Sequence, residues 1–143
     1  MSPGAEPRLP EVPPGTVGVG WATVELDRAA GELGGHLAPG AAFVGGPPSV
    51  ILGARTRLAR MRVPDGRDIW LVLMEPDTEG RLAATLAHAG EGWAATWTLA
   101  GTGTATARVS AARPGPLGVE RLILGGPIAG PHRLLVQAAT IEP

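Results

Sequence analysis

The sequence predicts a single α+β domain built from two similar halves, each a strand, a short helix and further strands. Three observations carry this. The chain has 143 residues, about the size of one domain. Apolar residues are 44% and charged residues 17%, with a net charge of -1, so there is material for a core and none of the charge excess of a disordered protein. Finally, Gly92-Trp-Ala-Ala-Thr-Trp-Thr-Leu99 echoes Gly20-Trp-Ala-Thr-Val-Glu-Leu26 about 72 residues earlier, an internal repeat.

Residues 1–15 hold five prolines and little that packs, which predicts an extended or disordered arm ahead of a domain spanning 16–143. Val17 to Leu26 reads as a strand. Asp27 then caps a short helix, Arg28 to Leu33, closed by Gly34-Gly35. Gly45-Gly-Pro-Pro48 is a turn, and Ser49 to Val63 reads as a strand with arginines 55, 57, 60 and 62 spread over both faces, mostly as solvated decoration. Pro64-Asp65-Gly66 marks a hairpin into the apolar strand Asp68 to Met74, which Glu75-Pro76 stops. Thr78 to Ala89 has helical spacing and ends at Gly90. The second half repeats the order: a strand Gly92 to Leu99, a helix Thr102 to Ala112, and strands Leu117 to Leu124 and Arg133 to Ala139. Gly101-Thr-Gly-Thr104 lacks the glycine spacing and lysine of a phosphate-binding loop and is taken as helix-entry chemistry.

Composition excludes several functions. All 12 basic residues are arginine, set against 13 acidic ones, so no surplus positive charge is available for gripping nucleic acid. The absence of cysteine excludes a disulfide scaffold, thiolate metal sites and a cysteine nucleophile. No segment is long and apolar enough to cross a membrane, and the beginning lacks a basic stretch followed by an apolar one, so a cytoplasmic protein is expected. Nothing resembling a serine hydrolase elbow occurs either.

The two halves, the stretch Leu71-Val-Leu-Met-Glu-Pro76, the helix with Leu82-Ala-Ala-Thr-Leu86 and the junction Gly90-Glu-Gly92 resemble the vicinal oxygen chelate superfamily, which includes glyoxalases, bleomycin-resistance proteins and methylmalonyl-CoA epimerases. The resemblance runs from Val17 to Ala139. It implies tandem βαβββ modules, about 16–77 and 91–143 joined by the helix 78–90, whose mixed sheets curl into a shared cup. It also implies four positions for a divalent cation, one each on corresponding strands. Here those positions fall at Gly20 or Trp21, at Val72, at Ala95 and near Gln137. Three of the four lack a donor, so neither a metal nor any other cofactor is expected. Of the histidines, His36 and His88 read as surface or capping residues, and His132 as a group at the mouth of a cup-facing strand.

Strand alternation then sorts the cup lining. If Ala22, Val24 and Leu26 form the dry layer under the helix, Trp21, Thr23 and Glu25 face the cup, as do Trp93, Ala95 and Trp97 in the second half. Trp70, Val72 and Met74 share the parity of the lost ligand position, so all four tryptophans are expected to line one cavity for a flat or apolar small molecule, with Gln137 beside it. Glu25, desolvated among indoles, is the candidate proton shuttle, with His132 or Gln137 fixing a carbonyl oxygen. Three functions follow as alternatives. One is a metal-independent isomerase or cyclase of specialised metabolism, and another a non-catalytic or antibiotic-sequestering binder. The third is a metal-dependent lyase, isomerase or dioxygenase. A homodimer is expected, since family members commonly complete their cups through a partner.

Overall fold

The computed structural model describes residues 9–101, 108–125 and 131–137. Eight strands form one mixed sheet that curls almost into a barrel, with two helices against it. In chain order these are β1 (Thr16–Ala22), α1 (Leu26–Glu32), a single 3₁₀ turn (Gly34–His36), β2 (Val44–Ser49), β3 (Ala54–Arg62) and β4 (Asp68–Pro76). The second half follows with α2 (Arg81–Ala89), β5 (Gly92–Leu99), β6 (Arg113–Gly115), β7 (Gly118–Leu122) and β8 (His132–Val136). The spatial order is β2-β3-β4-β1-β5-β8-β7-β6, so each half repeats one order outward from the antiparallel β1–β5 seam. β1 pairs parallel with β4, as β5 does with β8. The α+β class and the curled cup of tandem modules expected from the sequence are therefore present.

Several boundaries differ from the sequence reading, each for a local reason. β1 ends at Ala22 rather than Leu26, because Thr23 to Glu25 form the turn into α1, whose N-cap is Glu25; Asp27 lies inside the first turn. Gly45 to Pro48 belong to β2, not to a turn. Proline is tolerated there because β2 is an edge strand whose outward side needs no N–H donor. The long strand expected over Ser49 to Val63 is split by the turn at Val50–Gly53, where Gly53 takes a positive φ of 70°. The strand expected over Leu117 to Leu124 is present as β7, Gly118–Leu122, and pairs with a short strand, β6, that the sequence reading did not include. Of the helix expected over Thr102 to Ala112, residues 102–107 lie outside the described residues. The remainder is not helical: Val109 bridges Ile123, and Ser110 N donates to Leu122 O at 2.9 Å. The expected extension of β8 through Ala138 and Ala139 also lies outside the described residues.

Two apolar layers result. On the outer face of the first half, Ala29 and Leu33 of α1 cover Val19, Met61, Leu71 and Leu73. Leu9 and Val12 of the proline-rich arm pack on the same layer, and Arg67 donates to Val12 O at 2.5 Å and Pro13 O at 3.3 Å. The cup interior forms the second layer, with Val72, Met74, Ala95, Trp97, Leu117, Leu122, Leu134 and Val136. Leu82 of α2, with Leu52 and half-buried Leu86, closes one end of it. The edges β2 and β6 meet across the cup, Val50 N donating to Pro114 O at 3.2 Å.

Gly20 allows this interior to close. A Cβ there would lie 2.8 Å from Met74 Cε and 2.9 Å from the Trp97 ring, inside contact distance. Gly20→Val is expected to lower stability by about 1–3 kcal/mol through overpacking, measured by chemical denaturation. Gly31→Ala in α1, where nothing lies within 4 Å of the added carbon, is expected to be neutral or stabilising by up to about 1 kcal/mol.

Candidate functional site

The centre of the cup is built where β1 crosses between β4 and β5. Gly20 pairs with Val72 on one side and Ala95 on the other, which brings three of the positions implied by the resemblance side by side. None has a donor side chain, and the space before them is filled by Trp97 and Met74. Trp21, the alternative at the first position, turns to the outer layer. Gln137 lies exposed beyond the end of β8, out of phase with the inward row His132, Leu134 and Val136. Among the described residues no group of three or more His, Cys, Asp or Glu side chains could hold a metal ion. The residues present do not fit a divalent cation, which needs oxygen or nitrogen donors.

The tryptophans divide between the two faces. Trp97 is fully buried in the cup and Trp70 lies at its edge, while Trp21 and Trp93 meet edge to face on the outer layer, ring centroids 5.0 Å apart. The expectation that all four line one cavity is thus corrected. Two causes combine: on β1 the expected faces are reversed, Ala22 lying in the cup and Trp21 outside it, and on β5 a bulge intervenes, since Gly20 pairs with Ala95 but Trp21 with Trp93, so Ala94 is an extra residue that breaks strict alternation. Val24, assigned to the dry layer, is 64% exposed in the turn beyond β1.

Trp97 brings with it a group the sequence reading missed. Its indole Nε1 donates to Glu120 Oε1 at 2.8 Å, and the Ser49 hydroxyl donates to Oε2 at 2.7 Å. Glu120 is fully buried on β7. Burial pushes its carboxyl pKa up, against the opposing effect of the two hydrogen bonds. Its inward direction was legible only from its parity with Leu122, in a stretch that otherwise reads as surface.

The proposed acid–base pair does not assemble. Glu25 stands exposed at the start of α1, 4.0 Å from Arg28, and not among indoles. Thr23 is buried, but its hydroxyl donates to Glu91 Oε2 at 2.9 Å outside the cup. His132 is also buried, at the end closed by α2 rather than at an open mouth. Its Nε2 lies 2.9 Å from Thr85 Oγ1, which itself donates to Arg81 O at 2.9 Å. Burial, and secondarily the charge of Arg81, lower the His132 pKa, so the imidazole is held neutral.

The two glutamates of the junction motifs hold α1. Glu91 accepts from Val24 N at 2.9 Å, from Thr23 and from Arg28, whose Nη2 is 2.6 Å away. Glu75 accepts from Leu26 N at 3.1 Å and pairs with Arg55. The Arg28 hydrogen bond foremost draws the Glu91 pKa down to about 2.

The open end of the cup lies opposite α2, where β1 and β4 begin and β5 ends. A pocket of about 390 Å³ there is lined by Thr16, Val17, Arg60, Ile69, Trp70 and Leu99, with Arg67 and Asp68 at its rim. The Arg60 guanidinium stacks over Trp70, 4.7 Å from the ring centroid. Arg67 is held by Asp65 and Asp68 by Arg62, whereas Arg60 makes no ion pair among the described residues. Of the sequence candidates, only Trp70 reaches this pocket; Val72, Met74, Ala95 and Trp97 form the packed floor beneath it.

An eight-stranded cup of two βαβββ-like halves joined at β1–β5 is the vicinal oxygen chelate, or glyoxalase-like, fold, as the resemblance implied. Solved structures similar to it include methylmalonyl-CoA epimerases. A variant of the Streptomyces coelicolor enzyme in complex with 2-nitronate-propionyl-CoA superposes with a TM-score of 0.66 at 20% identity, covering 87% of this chain and 96% of that one. The Mycobacterium tuberculosis enzyme gives 0.65 at 25% identity, covering 86% and 87%. A hypothetical protein from Bacillus halodurans gives 0.57 at 14% identity, covering 85% and 92%. No protein-family model and no curated protein matches the sequence.

Two pH-dependent outcomes follow. Glu120, raised in the folded state, stabilises fully below the unfolded carboxyl pKa of about 4.5, and this stability is lost as pH rises through its folded pKa. Glu120→Gln is therefore expected to gain on the wild type in unfolding free energy as pH increases from 4 to 8. Glu91, lowered to about 2, stabilises fully above about 4.5 and loses this as pH falls toward 2. Glu91→Gln is expected to cost about 1–2 kcal/mol at pH 7 and progressively less at lower pH, followed by urea titration at each pH.

Proposed function

We propose that the protein is a small-molecule binder on the vicinal oxygen chelate fold, working without a bound divalent cation, with its ligand at the open end of the cup against Trp70 and Arg60. One observation carries the reading: Gly20, Val72 and Ala95 meet at the centre of the cup, and Trp97 fills the space before them. Among the described residues the centre offers one carboxylate, Glu120, already engaged by Trp97 and Ser49, and no room for an ion and a chelating substrate, which moves binding outward to the mouth.

The mouth has the chemistry of a binding pocket. Its volume of about 390 Å³ is within the range of small-molecule sites. Val17, Ile69, Leu99 and the Trp70 ring supply an apolar wall for a flat ligand, and Arg60 supplies a charge for a carboxylate or similar group. The Streptomyces coelicolor neighbour holds an acyl-CoA-type ligand, itself anionic and partly apolar. Sequestration is favoured over isomerisation or cyclisation, because Glu25 is exposed and His132 is engaged with Thr85 at the closed end.

2-Naphthoate, a flat aromatic carboxylate, is a suitable probe. It is expected to bind at one molecule per chain by isothermal titration and native mass spectrometry, with affinity unchanged after treatment with a chelator. Trp70→Ala and Arg60→Ala are each expected to weaken it about tenfold or more, the equivalent of roughly 1.4 kcal/mol. Binding that disappears on chelation, or that is indifferent to both substitutions, would overturn the reading.

A further inference from the structure

We propose a second ligand site at the closed end of the cup, where Arg81 and Arg113 hold the anionic group of a small organic acid whose short apolar body lies on Ile51 and Leu122. The groove has a volume of about 550 Å³ and is walled by the turn after β2 (Val50, Ile51), the first residue of α2 (Arg81), the segment entering β6 (Ser110, Arg113) and the end of β7 (Leu122). It is separate from the mouth pocket. The β3–β4 register pairs Ala54 with Pro76 at this end and Arg62 with Asp68 at the other, so the two sites lie at opposite ends of the same strands.

Charge is the first argument. Two guanidiniums line the groove and no acidic residue does. Arg28, Arg55, Arg57, Arg62 and Arg67 are each paired with a carboxylate of the protein. Arg81 and Arg113 make no ion pair and no side-chain hydrogen bond among the described residues. Two unpaired cations on one concavity repel, and an anion placed between them relieves the repulsion while accepting directed hydrogen bonds from both forks. The groove is also amphiphilic. Val50 is 52% exposed and the half-buried Ile51 continues that apolar surface down to Leu122, which is buried and forms only the floor of the groove. Bare phosphate would use only the arginines, whereas a branched-chain carboxylate would use both parts.

A connection to the interior provides a readout. Arg81 O accepts from Thr85, whose hydroxyl is hydrogen-bonded to His132, and the Arg81 charge is one cause of the lowered His132 pKa. An anion seated on Arg81 offsets that charge, so the His132 midpoint rises when the groove is filled.

The test titrates the full chain with 4-methylpentanoate, with 4-methylpentanol and inorganic phosphate as comparisons, followed by NMR. Expected are one site per chain with shifts at Ile51, Leu122 and Arg113, an upward-moving His132 midpoint, and markedly weaker binding of both comparison compounds. Arg81→Gln and Arg113→Gln, both at exposed positions, should each weaken binding about tenfold or more. Arg60→Ala should leave it unchanged, which separates this groove from the mouth pocket whatever the fate of that reading. The proposal is overturned if the alcohol or phosphate binds as tightly as the acid, if neither arginine substitution matters, or if shifts fall at Trp70 instead.

Discussion

A single indole at the middle of the cup constrains everything around it. Trp97 can lie there only because Gly20 opposite has no side chain, and its buried Nε1 needs an acceptor, since an unpaired donor in that environment costs about 1–3 kcal/mol. Glu120 is that acceptor. A buried carboxyl must itself be satisfied, which recruits Ser49 from β2, and it needs space, which Gly115 leaves: a Cβ there would lie 2.1 Å from the Glu120 carboxyl oxygen. One ring thus ties β1, β2, β5, β6 and β7 together across the hollow. The result is a packed centre with a polar latch at the β2–β6 seam, where a fold of this kind could otherwise stay open.

The same economy explains the junction motifs. The first turn of a helix leaves N–H groups unsatisfied, and α1 has no side-chain cap of its own. Glu75 and Glu91 serve it from β4 and the start of β5, so two residues distant in sequence fix where the helix begins. Their negative charge also suits that end of the helix, and Arg28 and Arg55 balance it. The part of the sequence that most resembled the superfamily is thereby explained by helix anchoring, independent of any cation.

Much of the fold was legible because periodicity and repetition survive local irregularity. The repeat at Trp21 and Trp93 marks the two strands that pair at the centre of the sheet, and Pro64-Asp65-Gly66 marks a real hairpin. The cup lining was less legible, because parity holds only along unbroken strands. The bulge at Ala94 places Trp93 and Ala95 on opposite faces, although two residues apart they should share one. On β1 the inward residues are Gly18, Gly20 and the small Ala22, which report little of their direction, so the larger Trp21 drew the assignment instead. Glu120 was missed because a charged residue between Val119 and Arg121 reads as solvent-facing; its partners lie 23 and 71 residues away and are brought near only by the closed sheet. The helix assigned over Thr102 to Ala112 rested on the order of elements in the first half rather than on any periodicity of its own. Among the described residues of that stretch, Val109 and Ser110 pair with Ile123 and the end of β7 in extended form.

With the centre filled, the sheet still has two ends, and they differ in how they are finished. Leu82 and Leu52 close one end, and the arginines there stand at the rim of a shallow groove. At the other end Arg60 stacks over Trp70. A chain whose basic residues are all arginine is suited to both situations, because a guanidinium stacks on an aromatic face as well as it forks onto a carboxylate, whereas an ammonium does neither with the same geometry. With Trp97 and Met74 packed at the centre of the cup, the concave surfaces that remain lie at its two ends, one beside Arg60 and the other beside Arg81 and Arg113.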